Sequence, residues 1–202
     1  MNLPSPAPRS IGRYVVYDEI ASGGMAAVHF GRLVGPAGFA RPVAIKRLHA
    51  QYARDPEFVK MFLDEARLAA RIHHPNVLPI LDVPTVEGEI FLVMDYVPGD
   101  SLSRLIRVMG QRGERIAPRI ALGVVAGMLQ GLHAAPEAKD EQGAPLELVH
   151  RDVSPQNAFV GTDGVARHYA SDLRTKPIYR CKDWAHSRPR RHRRQPLRRR
   201  MD

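Results

Sequence analysis

Four polar side chains and one turn stand out by type and order. Lys46 lies inside the apolar run Pro42-Val43-Ala44-Ile45-Lys46-Arg47-Leu48. Glu65 follows it, and Asp152 and Asn157 close the stretch His150-Arg151-Asp152-Val153-Ser154-Pro155-Gln156-Asn157. Ahead of them all is a turn of small residues, Ala21-Ser22-Gly23-Gly24-Met25-Ala26-Ala27-Val28. Phosphoryl transfer from a nucleotide needs backbone laid over the phosphates and a cation on them. It also needs a carboxylate for the acceptor hydroxyl and carboxylate or amide oxygens for Mg²⁺. Most of these parts are present in that order. Taken singly each is ordinary: a hairpin turn, a strand-end lysine, a solvated helix glutamate, a chance tripeptide. Their joint order and setting carry the chemistry.

Hydrophobic periodicity indicates the elements that hold these side chains. Tyr14-Val15-Val16-Tyr17 reads as a strand, the turn at 21–28 leads into a second, and Gly35-Pro36-Ala37-Gly38 turns the chain into a third over 42–48. Asp55 is placed as an N-cap with Pro56 in the first helical position. Phe58, Phe62, Ala66, Ala69 and Ile72 then form an apolar stripe that stops at His74-Pro75. Segments 77–81 and 90–94, joined by the Glu87-Gly88 turn, complete five strands. After Pro98-Gly99 the pattern is helical. Asp100 or Ser101 caps a helix with Leu102, Leu105, Ile106 and Met109 on one face, ended by Gly110. A second helix spans about 116–134 on Ile116, Ile120, Val124, Met128 and Leu132. A polar loop over 135–147 and a hairpin around Gly161-Thr162-Asp163-Gly164 follow. The fold class is α+β, with a five-stranded antiparallel sheet and one helix over 11–97 and a mainly helical part over 98–167.

The turn, Val43-Ala44-Ile45-Lys46, Glu65 and His150-Arg151-Asp152 with Asn157 resemble the eukaryotic-type serine/threonine protein kinase family. The Gly-Gly-Met turn resembles its bacterial members, and the likeness covers about 11–167. The resemblance implies a small ATP-binding lobe, a hinge at Pro98-Gly99 and the first part of a large lobe, acting with ATP and Mg²⁺ on a protein Ser/Thr hydroxyl. Lys46 would then contact the α- and β-phosphates, held by Glu65; Asp152 would take or orient the acceptor proton, and Asn157 would bind one Mg²⁺. Ala21, Ser22, Gly23 and Gly24 would cover the phosphates, although only Gly23 matches the family's three glycines. Val28 and Ala44 would lie above the adenine and Phe159 below it. Met94 would back the pocket, with Asp95 to Val97 offering backbone hydrogen bonds to the base.

Two positions depart from the family pattern. Ser154 stands where serine/threonine kinases usually carry lysine, while Pro155 agrees with them. The second Mg²⁺ ligand, the aspartate of Asp-Phe-Gly, is expected at position 170, which is alanine. Asp172 is two residues further on, a displacement of about 6–7 Å along a strand, against Mg–O bonds of about 2.1 Å. Impaired or absent activity is the expectation, with a non-catalytic ATP-binding pseudokinase or regulatory fragment as the alternative.

The 202 residues carry a net charge of +9, and this charge is local. Residues 1–167 hold 18 Lys/Arg and 18 Asp/Glu, and 168–202 hold 12 Lys/Arg against three acids. The sequence therefore predicts a Pro-rich leader over 1–10 and a basic, disordered, non-native tail over 168–202. An abrupt switch after Arg167 is what a frameshift in a GC-rich gene produces, and it would truncate the large lobe before its activation segment. The helix over 116–134 would then expose an apolar face. The tail carries no folded nucleic-acid-binding motif, which argues against nucleic-acid binding. His73-His74 reads as a structural turn, since neighbours on a helix diverge. With one cysteine, no apolar run of the secretory type at its start and no apolar run of about 20 residues, the expectation from the sequence is a cytoplasmic chain with no membrane segment.

Overall fold

The computed structural model describes residues 8–169 and 173–175. Strands β1 (Arg9–Ile11), β2 (Tyr14–Ser22), β3 (Ala26–Val34), β4 (Ala40–Leu48), β5 (Ile80–Asp82), β6 (Thr85–Val86) and β7 (Glu89–Asp95) form one antiparallel sheet. Their order is β1-β2-β3-β4-β7-β5, with β6 hairpinned onto β7. The five expected strands are all present, and β1 and β6 are short additions to them. Gly12, at φ +57°, makes the tight turn that folds Arg9 and Ser10 back onto Val16 and Val15, so the end of the expected leader belongs to the sheet.

Alternation along the central strands sorts their side chains onto two faces. Val43 and Ile45 of β4 and Phe91 and Val93 of β7 bury one face with Ile11 and Tyr14. Leu92 and Met94 bury the other with Ala26, Leu48, Phe62 and Ala66, and Val28 and Ala44 pack against them. Phe62 and Ala66 belong to α2 (Pro56–Ala69), which follows the single turn α1 (Ala50–Ala53). The cap forms as the sequence predicts: the Asp55 carboxylate accepts the Glu57 N–H at 2.9 Å, with Pro56 in the first turn.

The rest of the molecule comprises β8 (Gly99–Ser101), α3 (Leu102–Gln111), α4 (Pro118–Glu137), β9 (Leu148–His150), β10 (Ala158–Gly161), β11 (Ala166–His168) and β12 (Leu173–Thr175). Strands β11, β10 and β8 form one small sheet, and β12 and β9 another. Val124 and Met128 of α4 pack on Ala158 and Ala166, while Ala135 joins Ala69, Ile72, Val77, Leu148 and Leu173 in a second core. No helix among the described residues is long and apolar enough to cross a membrane.

Three boundaries differ from the sequence reading, each for a local reason. The strand expected from 77 begins at Ile80, because Val77 bridges to His168 and the Leu78 N–H donates to the His168 carbonyl at 2.8 Å. Helix α4 starts at Pro118, whose fixed φ suits the first turn, and continues to Glu137 through Pro136, into the expected loop. Part of the expected tail is placed in ordered structure: His168 completes β11, and Leu173 is buried in the second core and pairs with His150. The expectations for 170–172 and 176–202 lie outside the described residues.

Candidate active site

Antiparallel register assembles the first half of the site. Val28 of β3 lies opposite Lys46 of β4, and Ala44 lies opposite Met94 of β7. All four therefore share the face of the sheet that α2 covers. Glu65 sits one turn beyond Phe62, at the edge of the buried stripe, and accepts a hydrogen bond from Lys46 Nζ at 3.3 Å. Both side chains are more than four-fifths buried, so this pair is screened less than a surface ion pair. Lys46 Nζ also lies 5.5 Å from the centroid of Phe62.

The turn at 21–24 is fixed at both ends. Ala21 and Ser22 pair with Val28 and Ala27, and the Gly23 N–H donates to the Ala26 carbonyl at 2.9 Å. The Gly23 carbonyl is 3.0 Å from Nε2 of His49. At the other rim, Asp95 ends β7. Its N–H donates to the Pro79 carbonyl at 3.1 Å, and its carboxylate pairs with Arg41 at 2.9 Å. Phe159 in β10 faces Ser101 of β8, and the Thr162 N–H donates to the Pro98 carbonyl at 2.8 Å. These bonds tie β10 to the chain that follows Val97, and a Cβ built on Gly161 would lie 3.0 Å from a Val97 methyl.

Asp152 and Asn157 meet on the loop after β9. Asn157 Nδ2 donates to Asp152 Oδ2 at 2.6 Å and to its carbonyl at 3.1 Å. His150 shapes the loop from inside. Its Nδ1 accepts the Asp152 N–H at 3.3 Å, which leaves the proton on Nε2 for the Tyr169 carbonyl at 3.1 Å. The Pro155 carbonyl accepts the Ser103 N–H of α3 at 3.0 Å. His74 closes the turn expected of it, with Nδ1 accepting the Asn76 N–H at 3.1 Å.

The site contains one residue that sequence reasoning missed. The Tyr169 hydroxyl accepts from Lys46 Nζ at 2.7 Å and donates to Glu65 Oε1 at 3.0 Å. Burial pushes its pKa well above the usual range, and the neighbouring Glu65 charge adds to the shift. Tyr169 therefore stays a neutral donor. Its only signal in the sequence is its place, one residue before the position where the second metal ligand was expected.

A sheet-and-helix half carrying a lysine–glutamate pair is joined to a half carrying an aspartate–asparagine loop. Residues 14–173 match the family described as "Protein kinase domain", and the chain belongs to that family. It is 38% identical over 159 residues to the tyrosine-protein kinase MasK of Myxococcus xanthus, covering 79% of this chain and 25% of that protein. Over 152 residues it is 36% identical to the serine/threonine-protein kinase PknL of Mycobacterium bovis, covering 75% of this chain and 34% of that one. Over 152 residues it is 35% identical to the serine/threonine-protein kinase PrkC of Bacillus subtilis, covering 75% and 21%. The chain thus spans between 21% and 34% of these relatives. Among solved structures it resembles "PpkA-294 apo form" in fold, with a TM-score of 0.64 at 19% identity, covering 81% of this chain and 60% of that one.

Proposed function

We propose that the chain binds ATP and Mg²⁺ and carries the catalytic loop of a protein serine/threonine kinase, which moves the γ-phosphoryl group to a protein hydroxyl. The observation that carries this reading is the buried Lys46–Glu65 pair at 3.3 Å, on the same sheet face as Val28, Ala44 and Met94. In this reading Lys46 binds the α- and β-phosphates while Glu65 keeps its ammonium in place. The turn at 21–24 lies over the phosphates. Val28 and Ala44 cover one side of the adenine and Phe159 the other, with Met94 behind and the backbone of Asp95 to Val97 at its edge. Asp152 orients the acceptor hydroxyl and receives its proton.

The donor set fits one metal position. Asn157 Nδ2 is spent on Asp152, and Oδ1 accepts nothing from the described residues, leaving an amide oxygen of the kind Mg²⁺ prefers. When bound, Mg²⁺ neutralises charge developing on the phosphates. Position 170 is alanine and offers no side-chain donor atom. One missing metal contact costs several kcal/mol of transition-state stabilisation, with about tenfold in rate for each ~1.4 kcal/mol. The rate is therefore low, and Ala170 together with Ser154 favours a non-catalytic nucleotide-binding module as the second reading.

Thermal unfolding with ATP, with and without Mg²⁺, tests the pocket; radiolabelled transfer to a generic protein acceptor, against Asp152→Asn, tests the chemistry. The expected result is a midpoint raised by ATP and a slow transfer that drops at least tenfold in the variant. ATP binding with no transfer above Asp152→Asn selects the second reading, and no ATP effect at all rejects both. Phosphoamino-acid analysis of the product separates serine or threonine from tyrosine acceptors.

A further inference from the structure

We propose that Tyr169 is a positioning residue that locks the Lys46–Glu65 pair to the loop carrying Asp152 and Asn157. The inference rests on the nucleotide-handling role given above to Lys46. Both functions of the hydroxyl are used, as acceptor from Lys46 at 2.7 Å and as donor to Glu65 at 3.0 Å. Each contact is shorter than the direct Lys46–Glu65 contact of 3.3 Å, so the tyrosine oxygen is the nearer partner of both charges. The backbone of the same residue is tied to the other half: its N–H donates to the Asn157 carbonyl at 2.9 Å, and its carbonyl accepts from His150 Nε2 at 3.1 Å. One residue thereby sets the distance between the phosphate lysine and the loop that holds the catalytic carboxylate.

The ring makes this link stiff. It packs on the cluster containing Phe62, Ala66 and Met94, and the Lys46 ammonium lies 4.5 Å from its centroid. A tyrosine has few rotatable bonds to fix, so a backbone held at both N–H and C=O places its hydroxyl with little freedom. Lys46 Nζ has three N–H groups, of which Glu65 and Tyr169 take two. The third has no partner among the described residues and remains for a phosphate oxygen. On this account the hydroxyl orients the lysine and does not compete with nucleotide for it.

The test uses the full chain and the variants Tyr169→Phe, Glu65→Gln and the double variant. Lysine acylation by an amine-reactive probe is followed by peptide mass spectrometry, with exposed Lys60 and Lys139 as internal standards. Tyr169→Phe is expected to label Lys46 several-fold faster, with unchanged rates at the two standards and a similar unfolding midpoint. The double variant is expected to match Glu65→Gln, because the two residues act through one shared network. Affinity for a fluorescent ATP analogue should fall about tenfold in Tyr169→Phe, a loss of roughly 1.4 kcal/mol. Equal Lys46 labelling in wild type and Tyr169→Phe overturns the proposal. Tighter analogue binding in the variant also overturns it, since that outcome makes the hydroxyl a competitor. If the wild type binds no analogue, the nucleotide reading of the site falls, and the Lys46 labelling rates alone decide the role of Tyr169.

Discussion

His168 is 1% exposed in β11, and its Nε2–H donates to the Met128 carbonyl of α4 at 3.0 Å. A carbonyl can only accept, so the lone pair sits on Nδ1, which is buried with no hydrogen-bond partner among the described residues. The His150 ring lies 5.2 Å away. Protonating Nδ1 would place a charge in an apolar site beside another imidazole. Burial first, and His150 second, accordingly lower the pKa of His168 to about 4 from an ordinary 6.5. Below pH 6.5 the unfolded chain takes up a proton at this position that the folded chain refuses. The stabilisation from the neutral ring is therefore complete above pH 6.5, falls as the pH drops from 6.5 to 4, and is gone below that. The shift amounts to about 3 kcal/mol. Urea unfolding at several pH values across this window should show that loss in the wild type and a much flatter profile in His168→Gln, which keeps a donor for Met128. Parallel profiles would place the acid sensitivity elsewhere.

At the scale of elements, α4 closely approaches the turn at 74–77, and that turn is bonded to β11. A Cβ on Gly131 would lie 2.6 Å from the Asn76 carbonyl oxygen, and one on Gly127 would lie 2.8 Å from Asn76 Nδ2. Asn76 in turn donates Nδ2–H to the Ala166 carbonyl, and its own carbonyl accepts the His168 N–H, both at 2.7 Å. Glycine inside a helix costs about 1 kcal/mol relative to alanine, so Gly131 is retained for contact and not for helicity. Gly131→Ala should destabilise by about 1–3 kcal/mol through overpacking against backbone. Gly123→Ala on the same helix meets nothing within 4 Å and should stabilise by roughly 0.5–1 kcal/mol. Denaturant midpoints measure both, and equal shifts of one sign would remove the packing argument. Such contacts separate what the sequence reveals from what it hides. The Asp55 cap, the α2 stripe and the alternation of β4 and β7 are local patterns, so their elements are legible. Strand β8 is not, because Gly99-Asp100-Ser101 becomes a strand only by pairing with β10. Tyr169 is hidden for the same reason: its partners Lys46 and Glu65 lie 123 and 104 residues away in the chain. The sequence also marked the loop pair, although it could not show Asn157 donating to Asp152 or His150 bonding to Tyr169.

Over the molecule as a whole, α4 carries apolar residues on two faces. Val124, Met128, Gly131 and Ala135 turn inward. Leu122, Val125 and Leu129, at i, i+3 and i+7, form an outward stripe that is 70%, 53% and 60% exposed. The sequence reading put Ile120 in the repeat with Val124 and Met128. The structure leaves it 53% exposed, in the first turn of a helix that starts two residues earlier, at Pro118. A single exposed leucine is unremarked on a protein surface, whereas covering a contiguous stripe of three large residues removes apolar area from water and so favours association. The stripe makes no contribution to the core, so charging it should cost the fold little. Leu122→Lys combined with Leu129→Lys is expected to shift the chain toward monomer relative to the wild type at equal concentration, while its unfolding free energy changes by only about 0.5 kcal/mol. Sedimentation velocity and denaturant unfolding on the same samples test this. Association that persists with both lysines in place would move the sticky surface away from α4, to the exposed Val34 and Phe39 at the connection between β3 and β4.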